Sequence, residues 1–133
     1  MSDESNGEVV RRYLTASIED DFETLAALRH PEWQERWPQS GEVVRSSEHY
    51  HELRVNRPEG APAVKPGVSR GGSGDQWWAE LVVDYQDGSR WLAVSLFELR
   101  DGLVYRERIY FGQPFGAPPW RAPWVDLETP AID

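Results

Sequence analysis

Tyr13 and Glu107 are the two residues whose positions in the sequence best suit acid–base chemistry. Tyr13 shares a helical face with Leu14, so its hydroxyl would point inward and donate to a developing oxyanion. Glu107 alternates with Tyr105 and Ile109 along an apolar strand face, where a buried carboxylate suits a general acid or base. Two plainer interpretations stay open: a core tyrosine bonded to the backbone, and a one-residue bulge that turns Glu107 outward to pair with an arginine.

Apolar side chains are predicted to line a pocket around these two groups. The candidate substrate-binding residues are Trp37, Tyr50, Trp77, Leu96, Ile109 and Phe111. Flat apolar walls suit a small, largely apolar organic molecule, although core packing explains the same residues equally well. No metal site is predicted, because His49 and His51 lie two residues apart and so on different sides of a helix. No cofactor is predicted, since the glycine-rich run 71–74 lacks the Lys-Ser/Thr of a phosphate loop.

The composition narrows the class of protein. The chain has 133 residues, a formal net charge of −9 and no cysteine, which excludes disulfides, thiolate metal sites and a cysteine nucleophile. The negative charge argues against nucleic acid and an anionic membrane surface as partners, because phosphate would repel the protein. The N-terminus lacks the pattern of a secretory signal, and no apolar run approaches the ~20 residues of a membrane span. A cytoplasmic location is the expectation.

Helical spacing of apolar residues predicts three helices in the first half of the chain. They are expected at 9–18, at 22–28 after an Asp20-Asp21 cap, and from Ser46 or Ser47 to about Asn56. A brief strand at 33–37 lies between the second and the third, and Trp33, Glu35 and Trp37 alternate along it. Residues 57–75 contain three prolines and five glycines, which predicts an edge strand or a mobile flap.

Residues 76–111 alternate in the manner of a three-stranded antiparallel meander, with turns at Asp87-Gly88 and Asp101-Gly102. If both loops have two residues, Tyr85 pairs with Arg90, and the two faces of the sheet can be assigned. The inner face is then predicted to hold Trp77, Ala79, Leu81, Val83, Tyr85, Leu92, Val94, Leu96, Glu98, Leu103, Tyr105, Glu107, Ile109 and Phe111.

The opposite, outer face mixes aromatic and charged residues in this register. It is predicted to hold Trp78, Trp91, Phe97 and Tyr110 among Glu80, Asp84, Ser95, Arg106 and Arg108. Four aromatic side chains would make an exposed patch larger than monomers tolerate, so a homodimer through this face is predicted. The alternative is that the tail, with Phe115, Trp120 and Trp124, folds back over the face and leaves a monomer.

The order of elements and three local strings resemble the SnoaL-like branch of the nuclear transport factor 2-like superfamily. The strings are Val10-Arg11-Arg12-Tyr13-Leu14, the turn Trp37-Pro38-Gln39-Ser40-Gly41-Glu42, and the final strand and tail at 106–111 and 120–125. The resemblance implies an α+β fold in which a cone-shaped, curved antiparallel sheet packs against three N-terminal helices and encloses a pocket. It implies one domain over 1–133, with 1–7 disordered and 112–133 an extended C-terminal tail, and often a homodimer.

Functions in this superfamily range from isomerase, cyclase and hydrolase activity to binding alone, so the fold leaves the function open. Its ketosteroid isomerases carry a helix-1 tyrosine, matched by Tyr13, and an aspartate before the proline that follows the first strand. Trp37 stands at that second position and cannot take up a proton. The leading hypothesis is a pocket protein acting as a cofactor-independent acid/base enzyme through Glu107 and Tyr13. The alternative is a non-catalytic ligand-binding or dimerisation domain.

Overall fold

The computed structural model describes residues 2–128 as helices packed on one face of a six-stranded sheet. The helices are α1 Asp3–Glu19, α2 Phe22–Leu28 and α3 Ser47–Val55, and a 3-10 turn covers Pro119–Trp124. The strands are β1 Arg29–Trp37, β2 Glu42–Val44, β3 Ala63–Ser73, β4 Gln76–Asp84, β5 Arg90–Arg100 and β6 Leu103–Gly112. Their order is β2-β1-β6-β5-β4-β3. The predicted α+β class is confirmed, but the sheet is mixed, because β1 and β6 run parallel.

Helix α1 begins six residues earlier than the apolar spacing predicts. The Ser2 side chain accepts the Ser5 backbone N–H as an N-cap, and Asn6 is fully buried with its Nδ2 donating to the Gly74 carbonyl at 2.9 Å. These polar contacts fix the first turns where no apolar residue marks them. The prediction that 1–7 are disordered is therefore wrong for residues 3–7; Met1 lies outside the described residues. None of the helices in 2–128 is long and apolar enough to cross a bilayer.

The remaining helices and the glycine-rich segment follow the sequence closely. Asp21 caps α2 by accepting the Thr24 N–H at 3.2 Å, and Ser46 caps α3 by accepting the His49 N–H at 3.1 Å. Residues 63–73 form β3 at the edge of the sheet. Of the two possibilities predicted for this segment, the edge strand is therefore the one that forms.

The hairpin between β4 and β5 has a three-residue loop where two residues were predicted. The Tyr85 N–H donates to the Ser89 carbonyl at 2.9 Å, and Gly88 has φ +87°. Such a loop consists of a turn followed by a residue in the left-handed backbone conformation, which here is Gly88. The additional loop residue shifts the strand register by one, so Asp84 pairs with Arg90. Every side chain of β5 therefore points to the face opposite the predicted one.

The strand β6 contains a bulge at Tyr105 that brings Glu107 to the inner face. Val104 pairs with Leu99 and Arg106 pairs with Glu98, so Tyr105 is the extra residue. Val104 is fully buried and Glu107 is 4% exposed. The alternative considered from the sequence was a bulge that turns Glu107 outward. In the structure Val104, not Leu103, faces inward before the bulge. The extra residue Tyr105 therefore turns Glu107 inward instead of outward.

The strand β1 begins at Arg29, four residues before the predicted start, and runs through Pro31. Proline has no N–H to donate, but the pairing of β1 with β6 is irregular between Arg29 and Gln34, so no ladder bond is lost there. Together these registers create one buried inner face. It holds the core against α1 and α2, formed by Val10, Tyr13, Leu14, Leu25, Leu28, Trp33, Ala79, Phe97, Leu99 and Val104.

Candidate functional site

A cavity of about 970 Å³ lies between the inner face of the sheet and the helices α1 and α3. Its lining extends to the end of α3 and the loop that follows, where Arg54, Asn56, Arg57 and Pro58 contribute. Its walls include both groups predicted to be catalytic and four of the six predicted to bind substrate: Tyr13, Glu107, Trp37, Tyr50, Ile109 and Phe111. Alternation and helical spacing thus predicted which of these side chains face the cavity, while their role in binding or catalysis stays a prediction.

Two predicted lining residues lie elsewhere. Leu96 is on the outer face, because the three-residue loop reverses β5, and its inner-face neighbours Ser95 and Phe97 line the cavity instead. Trp77 lies on the inner face but under α1, where its ring packs on Gly7 and its Nε1 donates to the Gly74 carbonyl at 2.9 Å. Assigning Leu96 and Trp77 to the cavity is therefore wrong.

Two carboxylates lie side by side on the cavity wall. Glu35 of β1 is the register partner of Glu107 of β6, and the two side chains are 3% and 4% exposed. Burial raises the pKa of Glu35 well above its ordinary value, and the neighbouring Glu107 raises it further, partly through a hydrogen bond between the two groups. Two buried carboxylates in contact cannot both ionise cheaply, so the pair holds one proton.

Glu107 accepts more hydrogen bonds from neighbouring side chains than Glu35 does. Its Oε1 accepts a hydrogen bond from the Tyr13 hydroxyl and another from Trp33 Nε1 at 2.9 Å. Burial and the Glu107 charge raise the pKa of Tyr13 well above its ordinary value, so the hydroxyl remains a donor. Glu35 receives one such bond, from Trp37 Nε1 at 2.7 Å. The shared proton therefore resides on Glu35.

Arg29 supplies the buried positive charge that balances Glu107. Its Nε donates to the Tyr13 oxygen at 2.7 Å and its Nη1 to Ser47 Oγ at 3.2 Å. The guanidinium lies 3.8 Å from the centre of the Trp33 ring and 4.4 Å from that of Tyr50. Enclosed in this way, Arg29 acts on Glu107 through Tyr13 and has little freedom to reach a ligand.

This network changes the chemistry expected of Tyr13. The Tyr13 hydroxyl donates its hydrogen bond to Glu107, and its oxygen accepts a hydrogen bond from Arg29. In this arrangement the hydroxyl is not free to donate to an oxyanion. The group with a transferable proton is Glu35, which the sequence reasoning did not select. Its signal was present in the alternation with Trp33 and Trp37, which places all three on one strand face.

Arg29 was also missed, because the strand was predicted to begin only at Trp33. Arg29 lies on the same, odd-numbered face of β1 as Trp33 and Glu35. Had the strand been predicted to begin at Arg29, the alternation would have placed all three residues on one face. No group of three or more His, Asp or Glu residues within residues 2–128 is arranged to hold a metal ion.

Comparison with known proteins places the chain in a family. No protein-family model and no curated protein match it. An NTF2-like protein of unknown function from Burkholderia xenovorans LB400 has 32% identity and a TM-score of 0.81, with 97% of this chain and 99% of that chain covered. The chain therefore belongs to the NTF2-like family.

Two further solved structures share the fold at lower identity. One is a protein from Kribbella flavida DSM 17836 that is described provisionally as a ketosteroid isomerase. It has 22% identity and a TM-score of 0.86, and the match covers 100% of this chain and 97% of that chain. The other is an LEH-like epoxide hydrolase from M. tuberculosis with 20% identity and a TM-score of 0.65, over 80% of this chain and 82% of its own. At these identities the likeness concerns the fold alone.

Proposed function

We propose that this protein binds a small, largely apolar organic molecule in the cavity and transfers a proton to or from it through Glu35. The observation that carries the proposal is the pair of buried, register-matched carboxylates, Glu35 and Glu107, on the wall of a cavity with mostly apolar lining. Perturbed carboxylates in a cavity are typical of general acid–base sites. The chemistry needs no cofactor.

Each residue of the network has a separate role in this proposal. Glu35 in its protonated form donates its proton to an oxygen of the ligand, and the carboxylate so formed accepts the proton released from the adjacent carbon. Glu107 lies beside Glu35 and adds to the effect of burial, which raises the pKa of Glu35. Tyr13 and Arg29 are positioning residues that hold Glu107, and neither contacts the reacting atoms. This assignment moves the acid–base role from the sequence-predicted pair Tyr13 and Glu107 to Glu35.

The lining favours a neutral, oxygen-bearing ligand. Trp37, Tyr50, Ile109 and Phe111 give apolar walls, and burial raises the pKa of Tyr50 to about 12, so its hydroxyl is uncharged. A ligand carboxylate beside Glu35 and Glu107 would meet two acidic groups. Arg29, the one buried cation within residues 2–128, is already bonded. An isomerisation or an epoxide opening, the reactions for which two of the structural neighbours are named, both begin with a proton transfer.

Proton exchange at the α-carbon of 2-tetralone, an apolar cyclic ketone, tests the proposal. The protein in D₂O should accelerate deuterium incorporation, followed by NMR, and Glu35→Gln should reduce the rate about 100-fold or more. Glu32→Gln is the matched control, since Glu32 is an exposed residue of the same strand. It should leave the rate unchanged.

Two results would count against catalysis. If 2-tetralone binds, as seen by a change in tryptophan fluorescence, but does not exchange in the wild-type protein, the non-catalytic binding alternative is favoured. If it exchanges equally in wild type and in Glu35→Gln, the carboxylate pair is not the working group.

A further inference from the structure

Ser95 is a polar residue of the cavity wall that the acid–base network does not use. The three-residue loop before β5 turns Ser95 from the predicted outer face of the sheet to the inner face. Ser95 is 1% exposed and lines the cavity, yet its hydroxyl takes part in none of the hydrogen bonds formed within residues 2–128. Buried hydroxyl groups normally have a partner, because leaving one unpaired costs free energy. The Ser95 hydroxyl is therefore available to a bound molecule.

Ser95 differs in this respect from the other polar side chains of the wall. The side chains of the acid–base network are hydrogen-bonded to one another, and the Ser17 hydroxyl donates to the Tyr13 carbonyl oxygen at 3.0 Å. The polar lining residues at positions 49–57, on α3 and the loop after it, and Glu42 are partly or fully exposed, so water can bond to them. Among the lining residues that the structure describes, only Ser95 is at once buried, polar and without a hydrogen bond.

Packing does not explain the hydroxyl group of Ser95. Its cross-strand partner Ala79 is 1% exposed, and Ala93, the preceding inward-facing residue of β5, is 3% exposed. An alanine would therefore fit at position 95 as it does at these two neighbouring positions. The hydroxyl adds a polar atom to a wall that small apolar residues fill equally well, and a ligand group that bonds to it accounts for its presence.

The register of the sheet gives the position of Ser95 relative to Glu35. Glu35 pairs with Glu107 and Glu107 pairs with Phe97, while Ser95 is the inward-facing residue of β5 before Phe97. Ser95 is therefore two strands and one inward-facing position away from Glu35. At ~4.8 Å per strand and ~6.8 Å per two residues, the two β-carbons lie on the order of 10–12 Å apart. Ile109, the partner of Ser95 on β6, lies between them.

We propose that Ser95 binds a second oxygen of the ligand, at the end opposite to the oxygen that meets Glu35. The inference rests on the proposed function and narrows its substrate class to rigid apolar molecules with two oxygen functions, such as a hydroxyketone of two fused rings. The ketone lies at Glu35, the rings lie over Ile109, and the second oxygen lies at Ser95. A serine hydroxyl both donates and accepts, so it pairs with a hydroxyl or with a carbonyl oxygen.

Calorimetric titration with two related ketones tests the inference. They are 2-tetralone and 6-hydroxy-2-tetralone, which carries a hydroxyl group at the far end of the same skeleton. The wild-type protein should bind the hydroxylated ketone about 10-fold more tightly, the effect of about one hydrogen bond to a group that is otherwise unpaired. Ser95→Ala should bind the two ketones with equal affinity. Equal affinities in the wild-type protein, or a preference that Ser95→Ala retains, overturn the inference.

Ser17→Ala is the matched control, because it removes the hydroxyl of another serine of the cavity wall, one whose hydrogen bond lies within the protein. It should keep the preference for the hydroxylated ketone, whatever its effect on the affinity for both. Urea unfolding gives a second readout. Ser95→Ala should be at least as stable as wild type, since no internal hydrogen bond is lost. A marked loss of stability would show that the hydroxyl bonds within the protein, which overturns the inference.

The binding preference does not depend on catalysis, so this inference and the proposed function can fail separately. A preference that requires Ser95, without deuterium exchange in either ketone, supports Ser95 as a ligand-binding residue and rejects proton transfer. Exchange that requires Glu35, without any preference between the ketones, supports proton transfer and overturns the role of Ser95. If neither ketone binds, both proposals are overturned.

Discussion

The two faces of the sheet hold carboxylates in opposite electrostatic states. On the inner face Glu35 is buried beside Glu107, and burial raises its pKa well above the ordinary value. On the outer face Asp84 accepts hydrogen bonds from Arg90 and Lys65, which hold its pKa well below the ordinary value. β1 and β4 belong to the same sheet, so the backbone is alike, and the difference comes from solvent and from the neighbouring charges.

Under the proposed function, the inner face is the one suited to proton transfer. A carboxylate paired with two cations in contact with water stays ionised throughout the physiological range and has no proton to give. A carboxylate buried beside another retains its proton, and small changes in its surroundings release it. Variants on each face test this difference.

Arg29→Met should cause the largest loss of stability, because it leaves the buried Glu107 charge without its cation. We expect a loss of about 3–5 kcal/mol in the free energy of unfolding at neutral pH, measured with urea. Arg90→Met is the control on the outer face, where a much smaller loss is expected. Equal losses in the two variants would contradict the distinction between the faces.

Tyr13→Phe removes the hydroxyl that joins Arg29 to Glu107. The free energy of unfolding should fall by about 1–3 kcal/mol, because the buried Glu107 loses a hydrogen-bond donor. Tyr110→Phe, at a half-exposed tyrosine of the outer face, should have little effect in the same urea titration. A Tyr13→Phe protein as stable as wild type would mean that water replaces the hydroxyl.

Glu35→Gln should change the slope of stability with pH. With its pKa raised in the folded state, Glu35 supports folding fully below its unfolded pKa of about 4.3, and this support is lost as the pH rises through the folded value. The glutamine variant lacks this loss. Its free energy of unfolding should therefore exceed that of wild type by about 1–2 kcal/mol at mildly alkaline pH. Unfolding measured across the range from mildly acidic to mildly alkaline pH should show a flatter curve for Glu35→Gln. Parallel curves would show that Glu35 is ionised in the folded protein.

Asp84→Asn should have the smallest effect and the opposite pH dependence. Because the pKa of Asp84 is lowered in the folded state, its contribution is present above the unfolded pKa of about 3.9 and disappears as the pH falls. The melting temperature of the variant should therefore be slightly below that of wild type at neutral pH and equal to it in acid. Added salt should narrow the neutral difference, since water screens this pair. A gap that widens in acid would refute the assignment.

Most of the fold was predictable because its signals are local. Caps at Asp21 and Ser46, helical spacing and the Asp101-Gly102 turn each depend on a few neighbouring residues, and all appear in the structure. The start of α1 and the start of β1 were not predictable in the same way. Asn6 is held by its hydrogen bond to Gly74. Pro31 is tolerated because the pairing of β1 with β6 is irregular beside it. The hydrogen bond and the strand pairing both join distant parts of the chain.

Within the candidate site, the sequence by itself determined which side chains alternate together: Glu107 with Ile109 and Phe111, and Glu35 with Trp33 and Trp37. Only the tertiary structure decided which face each set occupies and which sets meet. One additional loop residue reverses a whole strand, as it does for Leu96, because side chains alternate with a period of two. The pairing of Glu35 with Glu107 depends on two strands 72 positions apart lying parallel in register. Residues so far apart in the sequence form no local pattern. The contact between the two carboxylates is therefore a property of the tertiary structure and could not be predicted from the sequence.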